Sequence, residues 1–188
     1  MAIQVAHLST PKSGETLNGD RAFYRADEDG RILLGLIDGL GHGPGADEVA
    51  RAAIAQLEAV SLVEPMLDIM VGLHQSLRGT RGAAGTVCVI CGYEMQACAV
   101  GNVELRCSEA HVPLIASPGI LGVRVSTFRI CHAKLKPTSR LVMFSDGVSG
   151  APALTDVRQL APERACQAIL RSHRSQHDDA TVLIADVE

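Results

Sequence analysis

The apolar positions of the first forty residues come in short runs separated by turn-formers. IQVAHLS is followed by the polar patch TPKSGETLNG, then by DRAFYRA, the turn DEDG and RILLGLID. Runs joined by a short glycine-containing turn predict an antiparallel hairpin. The unbroken apolar stretch at 32–37 predicts a strand covered on both faces. From Gly45 the spacing turns helical: Ala46, Val49, Ala50, Ala53, Ile54, Leu57 and Val60 recur at i, i+3, i+4 and i+7. Asp47 and Glu48 fall in the first turn of this predicted helix, where they complement its dipole. A second helix is predicted over 65–77, with Pro65 at a permitted N-terminal position. Its expected inner face is Leu67, Met70, Val71, His74 and Leu77, with His74 a packed residue rather than a ligand.

Beyond the small-residue loop RGTRGAAG the chain reads as strands again: GTVCVICGY, MQACAVGN, VELRCS, VPLIAS, VRVSTFRICHAKL and SRLVMFSD. A last helix is predicted over 162–174, with Cys166, Ile169, Leu170 and His173 on one side, before a closing strand DATVLIADV. Short, punctuated strands predict antiparallel sheets rather than βαβ repeats. No repeat or linker interrupts the pattern, so a single α+β domain is expected over residues 1–188.

Composition narrows the function classes. The 188 residues are 47% hydrophobic and 20% charged, as in ordinary globular proteins. A net charge of −4 without any run of five like charges argues against a nucleic-acid-binding face. The start MAIQVAHLST lacks the features of a signal peptide, and no apolar stretch is long enough to span a bilayer. A soluble cytoplasmic domain with no membrane partner is expected. Cys88 and Cys91 form a C-x-x-C inside a predicted strand. Residues three apart on a strand face opposite sides, so these thiols cannot share a metal, and the six cysteines read as small buried hydrophobes.

The candidate chemistry lies in the acids at strand ends. Asp38 closes LLGLID, Asp146 closes RLVMFSD, Asp178 opens DDATVLIADV, and Asp20 opens DRAFYRA. Turn chemistry accounts for each singly. If the strands are neighbours, however, three or four carboxylates gather at one sheet edge. Unit charges ~4 Å apart repel by about 4 kcal/mol at an effective dielectric near 20, so such a cluster takes up protons or holds divalent cations. Oxygen ligands alone favour Mg²⁺ or Mn²⁺. Glycine after Asp38 and Asp146 lets water and phosphate approach the backbone.

The ordered set NGDRAFY, LIDGLGHGPGADEVA, GTVCVICGY, VGNVELR, PGILGV, VMFSDGV and HDDATVLIADV resembles the metal-dependent serine/threonine phosphatases of the type 2C (PPM) family. It covers nearly the whole chain, and its D-G-L-G-H-G-x-x-A form is most similar to the bacterial SpoIIE/RsbX branch, closest to stressosome phosphatases of the RsbX type. The resemblance implies an α-β-β-α sandwich of two mainly antiparallel sheets flanked by helices, with a dinuclear Mn²⁺ or Mg²⁺ centre. By motif match, Asp38 would bridge the two cations and the Gly39 carbonyl would bind one of them. Asp146 and Asp178 would bind the other, Asp20 would reach a metal through water, and Asp179 would support. A metal-activated water would then hydrolyse phosphoserine or phosphothreonine without a covalent intermediate.

Two departures stand out. Leu40 follows the D-G where many relatives carry histidine, which makes His42, two residues on, the candidate proton donor. The phosphate-holding arginine of eukaryotic relatives has no evident counterpart, and Arg21 should point away from Asp20 in a strand. The RsbX-type resemblance implies phosphorylated STAS-domain proteins of a stressosome or partner-switching cascade as substrates. The alternative is a phosphatase-like binding module without turnover, against which stands the complete acid set.

Overall fold

A computed structural model describes residues 2–150 and 152–188. Its strands and helices are β1 (Ile3–Thr10), β2 (Asp20–Ala26), β3 (Arg31–Gly39), α1 (Pro44–Ala59), α2 (Met66–Ser76), β4 (Ala83–Cys91), β5 (Glu94–Val100), β6 (Glu104–Cys107), β7 (Gly119–Ile120), β8 (Arg124–Val125), β9 (Ile130–Lys134), β10 (Arg140–Phe144), α3 (Leu154–Val157), α4 (Pro162–His173) and β11 (Ala180–Val187). The strands form a five-stranded sheet in the order β2-β3-β4-β5-β9 and a four-stranded sheet in the order β1-β11-β10-β6, with β7 and β8 as a separate pair. Both large sheets are antiparallel throughout.

The layers follow from strand alternation. On β3, Leu33 and Ile37 face α1 and α2, packing with Ala50, Ala53, Leu57, Ile69, Met70 and Leu73. The intervening Ile32, Leu34 and Leu36 face the other sheet and meet Leu141, Met143, Leu183 and Ala185. That double coverage is why positions 32–37 carry no polar residue. The outer face of the four-stranded sheet, with Val142, Phe144, Val182 and Ile184, is closed by Cys166, Ile169 and Leu170 of α4. The result is the expected helix–sheet–sheet–helix stack. Cys88 is buried between the sheets while Cys91 is exposed, and all six cysteines are free thiols. No helix among the described residues is long and apolar enough to cross a membrane.

Three local expectations are corrected. Helix α2 buries Met66, Ile69, Met70 and Leu73, whereas Leu67 is exposed. Met66, Leu67, Ile69, Met70, Val71 and Leu73 are all apolar, so two adjacent stripes satisfy the same spacing, and contact with α1 and the sheet selects one. His74, at the margin of that face, accepts a hydrogen bond from the Gly122 N–H (3.1 Å) and stands edge-on to Phe128. The VPLIAS run is irregular: among the described residues its ladder contact is a Val100–Ser117 bridge, while Val112 and Leu114 pack against the core between the sheets, and Pro113 lacks a ladder donor. The long run 123–135 is broken into β8 and β9, with Phe128 between them turned onto the helix-side core.

Arg140 fastens the outer helical layer. It is 6% exposed, donates from Nε and Nη2 to Asp186 at 2.6 Å each, and reaches the carbonyls of Val157, which ends α3, and of Leu160 just after it. Removing it leaves the half-buried Asp186 carboxylate without its ion-pair partner and the Leu160 carbonyl without this donor. Arg140→Ala is expected to lower the unfolding free energy by about 3 kcal/mol, read from urea denaturation midpoints.

Candidate active site

The ladder register brings the predicted acids together from both sheets. In the five-stranded sheet Asp20, first residue of β2, lies directly opposite Asp38 near the end of β3. In the other sheet β10 and β11 are antiparallel neighbours, so Asp146, just after β10, and Asp178 and Asp179, just before β11, flank the same edge. Backbone contact there is tight: a Cβ on Gly147 would stand 1.9 Å from the Asp179 carbonyl oxygen.

A side-chain hydrogen bond links the two sheets at this edge. The Ser145 hydroxyl donates to Asp20 Oδ2 at 2.6 Å and itself accepts the Thr181 N–H at 3.0 Å. Asp179, almost fully buried, accepts the Lys12 and Gly19 N–H groups at 2.8 Å each and so ties the β1–β2 connection to the start of β11. Asp178 accepts the Asp179 N–H. Asp146 accepts from the Asn102 side chain at 2.6 Å. Asn102 and Ser145 are site residues the sequence reading did not single out, although both sit inside quoted motifs, VGN and FSD.

The electrostatics match the crowding. Burial, then the charges of Asp20, Asp146, Asp178 and Asp179, push the Asp38 carboxyl up to about 9. Burial also raises Asp20, to about 7, against the Ser145 hydrogen bond and with the charges of Asp179 and Asp146. Asp146 is raised by desolvation and then by Asp178. With no counter-charge among them, the carboxylates turn to separate donors. Accordingly, no three His, Cys, Asp or Glu side chains among the described residues are drawn into a ready-made coordination group.

The donor set nonetheless fits divalent cations. It is all oxygen, as Mg²⁺ and Mn²⁺ prefer, and Asp20 Oδ1 is buried without any hydrogen-bond partner, which is costly unless something positive satisfies it. Gly39 ends β3 and donates its N–H to the Gly19 carbonyl. A Cβ on Gly39 would come within 2.4 Å of the Ala46 carbonyl oxygen, so the close approach of α1 alone requires glycine there.

The loop after Asp38 is closely packed. Gly41 and Gly45 do not leave open room: a Cβ on them would stand 3.0 Å from Arg81 Nη1 and 2.2 Å from Arg81 Nη2 respectively. His42 neither packs nor caps α1, whose N-cap is Gly43 without a side-chain cap. It is exposed, with Nδ1 2.9 Å from Glu15 Oε1, and its partner is not an acid of the sheet edge. Arg21 does point away from Asp20, to Asp47 in the first turn of α1. At the acid edge Asp146 is exposed, Asp38 and Asp178 are half-buried, and Asp20 and Asp179 are buried. A concavity of about 640 Å³ lined by His7, Tyr24, Arg51 and Glu58, among others, lies between the β1 and β2 edges and α1 and contains none of the strand-end aspartates.

Comparisons with known proteins agree with this architecture. The profile of the family Stage II sporulation protein E (SpoIIE) matches residues 28–188. Among curated proteins no sequence matches the chain. A chain from a structure described as "The bacterial stressosome: a modular system that has been adapted to control secondary messenger signaling" is 30% identical, with 98% of this chain and 100% of that chain covered and a TM-score of 0.91. RsbX in complex with magnesium is 23% identical over 99% of this chain and 96% of its own, with a TM-score of 0.84. The catalytic domain of the serine/threonine phosphatase PstP in complex with two manganese ions shares the fold at 17% identity, with 99% of each chain covered and a TM-score of 0.74. The chain belongs to the SpoIIE family, whose profile covers most of it, and shares the fold of PPM-type phosphatases.

Proposed function

We propose that this chain, as one catalytic domain over residues 1–188, is a cytoplasmic protein phosphatase. It removes phosphate from phosphoserine or phosphothreonine of STAS-domain proteins in a stressosome or partner-switching pathway. The observation that carries the reading is the register that sets Asp20 opposite Asp38 while Asp146, Asp178 and Asp179 add their charges to the same carboxyl group. The magnesium and manganese in the RsbX and PstP structures support a two-cation site, and the 30% identity to a stressosome-related chain supports the pathway.

In this reading Asp38, Asp146, Asp178 and the Gly39 carbonyl hold two divalent cations, Mn²⁺ or Mg²⁺, and Asp20 contributes its unpaired oxygen. Cations bound there supply a water acidic enough to attack phosphorus near neutral pH and charge to stabilise the phosphoryl oxygens. Asn102 fixes the Asp146 carboxylate, and Ser145 and Asp179 keep the two sheets in register beneath it. The departing seryl or threonyl oxygen takes its proton from His42, which Glu15 holds in the loop above.

The acids set a pH dependence whose sign follows from linkage. Asp38 rises from 3.8 to about 9 and Asp20 from 3.8 to about 7 on folding. The cation-free folded chain therefore binds more protons than the unfolded one across that window, and its stability falls as pH rises through it. Cations that replace those protons reverse the trend. Mn²⁺ is expected to raise the melting temperature more at about pH 8 than at about pH 5.5, and Asp38→Asn to flatten the cation-free pH dependence. Thermal melts with and without EDTA read both.

Turnover of p-nitrophenyl phosphate and of phosphorylated STAS-domain proteins should require Mn²⁺ or Mg²⁺. Asn102→Ala is expected to lose about 10–100-fold in activity or metal affinity, and Asp38→Asn more than that. A wild type loaded with Mn²⁺ that hydrolyses neither substrate would make the chain a binding module instead. His42→Ala should slow phosphoprotein hydrolysis most where a general acid is still protonated, so that its pH–rate profile differs in shape from that of wild type. A superimposable pH–rate profile would remove His42 as the donor.

A further inference from the structure

We propose that Arg81 is the residue that holds the substrate's phosphoryl group. Its position follows from the ladder. Asp38 pairs with Ala84 and Gly39 with Ala83, and the Leu40 N–H then donates to the Gly82 carbonyl at 3.0 Å. The pairing thus runs past the acids and sets Arg81 beside Gly41, three residues beyond Asp38, or roughly 10 Å along the strand direction.

The side chain is laid down but barely engaged. Its guanidinium lies against Gly41 and Gly45, where a Cβ would stand 3.0 Å and 2.2 Å away. Its hydrogen bond is a single contact, Nη1 to the Leu40 carbonyl at 3.2 Å, which leaves most of its five N–H donors uncommitted in an exposed group. It forms no salt bridge among the described residues, although five aspartates lie at the adjoining edge. Arg21 and Arg51 of the same region are both taken by Asp47. Arg81 therefore keeps its charge available at the border of the acid edge. Its planar fork matches a phosphoryl group bidentately. Two glycines in the facing loop give it a bed that any other residue would fill. The loop between α2 and β4 thus supplies the phosphate contact that no residue near the first acidic motif provides.

This assignment rests on the phosphatase reading, and binding of inorganic phosphate separates the two. The expected result is that calorimetric titration of inorganic phosphate into Mn²⁺-loaded protein shows about ten- to a hundredfold weaker binding in Arg81→Ala. The KM for p-nitrophenyl phosphate should rise by a similar factor. Arg81→Lys should recover part of the affinity. Arg81→Gln, which keeps an N–H for the Leu40 carbonyl but no charge, should recover none. Mn²⁺ affinity and melting temperature should match wild type in all three. Equal phosphate binding by wild type and Arg81→Ala overturns the assignment, as does rescue by Arg81→Gln or a parallel loss of Mn²⁺ binding, each of which would mark loop support. A wild type that binds phosphate through Arg81 but turns nothing over would sink the phosphatase reading and leave Arg81 in place.

Discussion

The hydrogen bond from Ser145 to Asp20 joins the two sheets at the point where their like charges meet. Sandwiched sheets are held mainly by apolar burial, which is non-directional and fixes no particular register between layers. The cores of Leu34, Leu36 and Ile90 against Met143, Leu183 and Ala185 supply cohesion of that kind. A buried hydroxyl that accepts from Thr181 and donates to Asp20 has a defined direction and distance. It sets how the end of β10 lies against the start of β2. Asp179 performs the complementary task on the other side, clamping Lys12 and Gly19. The polar groups at this edge therefore align the sheets as well as the site.

That alignment comes with repulsion, and the repulsion explains several features together. Asp38 is held as the neutral acid over much of the pH range because burial and four neighbouring carboxylates all disfavour its charge. Asp20 keeps one oxygen unsatisfied. Each remaining acid is turned to its own donor: Asn102, the Asp179 N–H, or the backbone of the β1–β2 connection. An edge built this way is high in energy without positive charge and lower with it. Such a balance makes affinity for a divalent cation and stability of the fold parts of one equilibrium.

Much of this was legible in the sequence, for identifiable reasons. The apolar run at 32–37 announced a two-sided strand because no polar side chain has a place between two cores. The strand-end aspartates were visible as a group because β-strands terminate where their apolar alternation stops. Other features depend on contacts between segments distant in sequence. The inner stripe of α2 was ambiguous by one residue, since apolar residues occupy both stripes and only α1 decides between them. Glu15 beside His42 and Asn102 beside Asp146 join residues 27 and 44 positions apart. No periodicity carries such pairings. The glycines after Asp38 showed that the backbone must be bare, but not what lies over it.

What lies over it changes how this end of the molecule is organised. The loop at 39–45 packs on two sides, with the Ala46 carbonyl against Gly39 and the Arg81 guanidinium against Gly41 and Gly45. Bare backbone here therefore serves close packing as much as access. The first contact fixes where α1 begins relative to the acids. The second fixes where a free cationic group stands relative to them. Because the α2–β4 loop is stitched to Leu40 through the Gly82 carbonyl, a shift of either helix moves Arg81 and Asp38 as neighbours on one ladder. Charge of both signs is thus mounted on β3 and on the loop leading into β4, and the backbone hydrogen bond between Leu40 and Gly82 sets how those two segments lie.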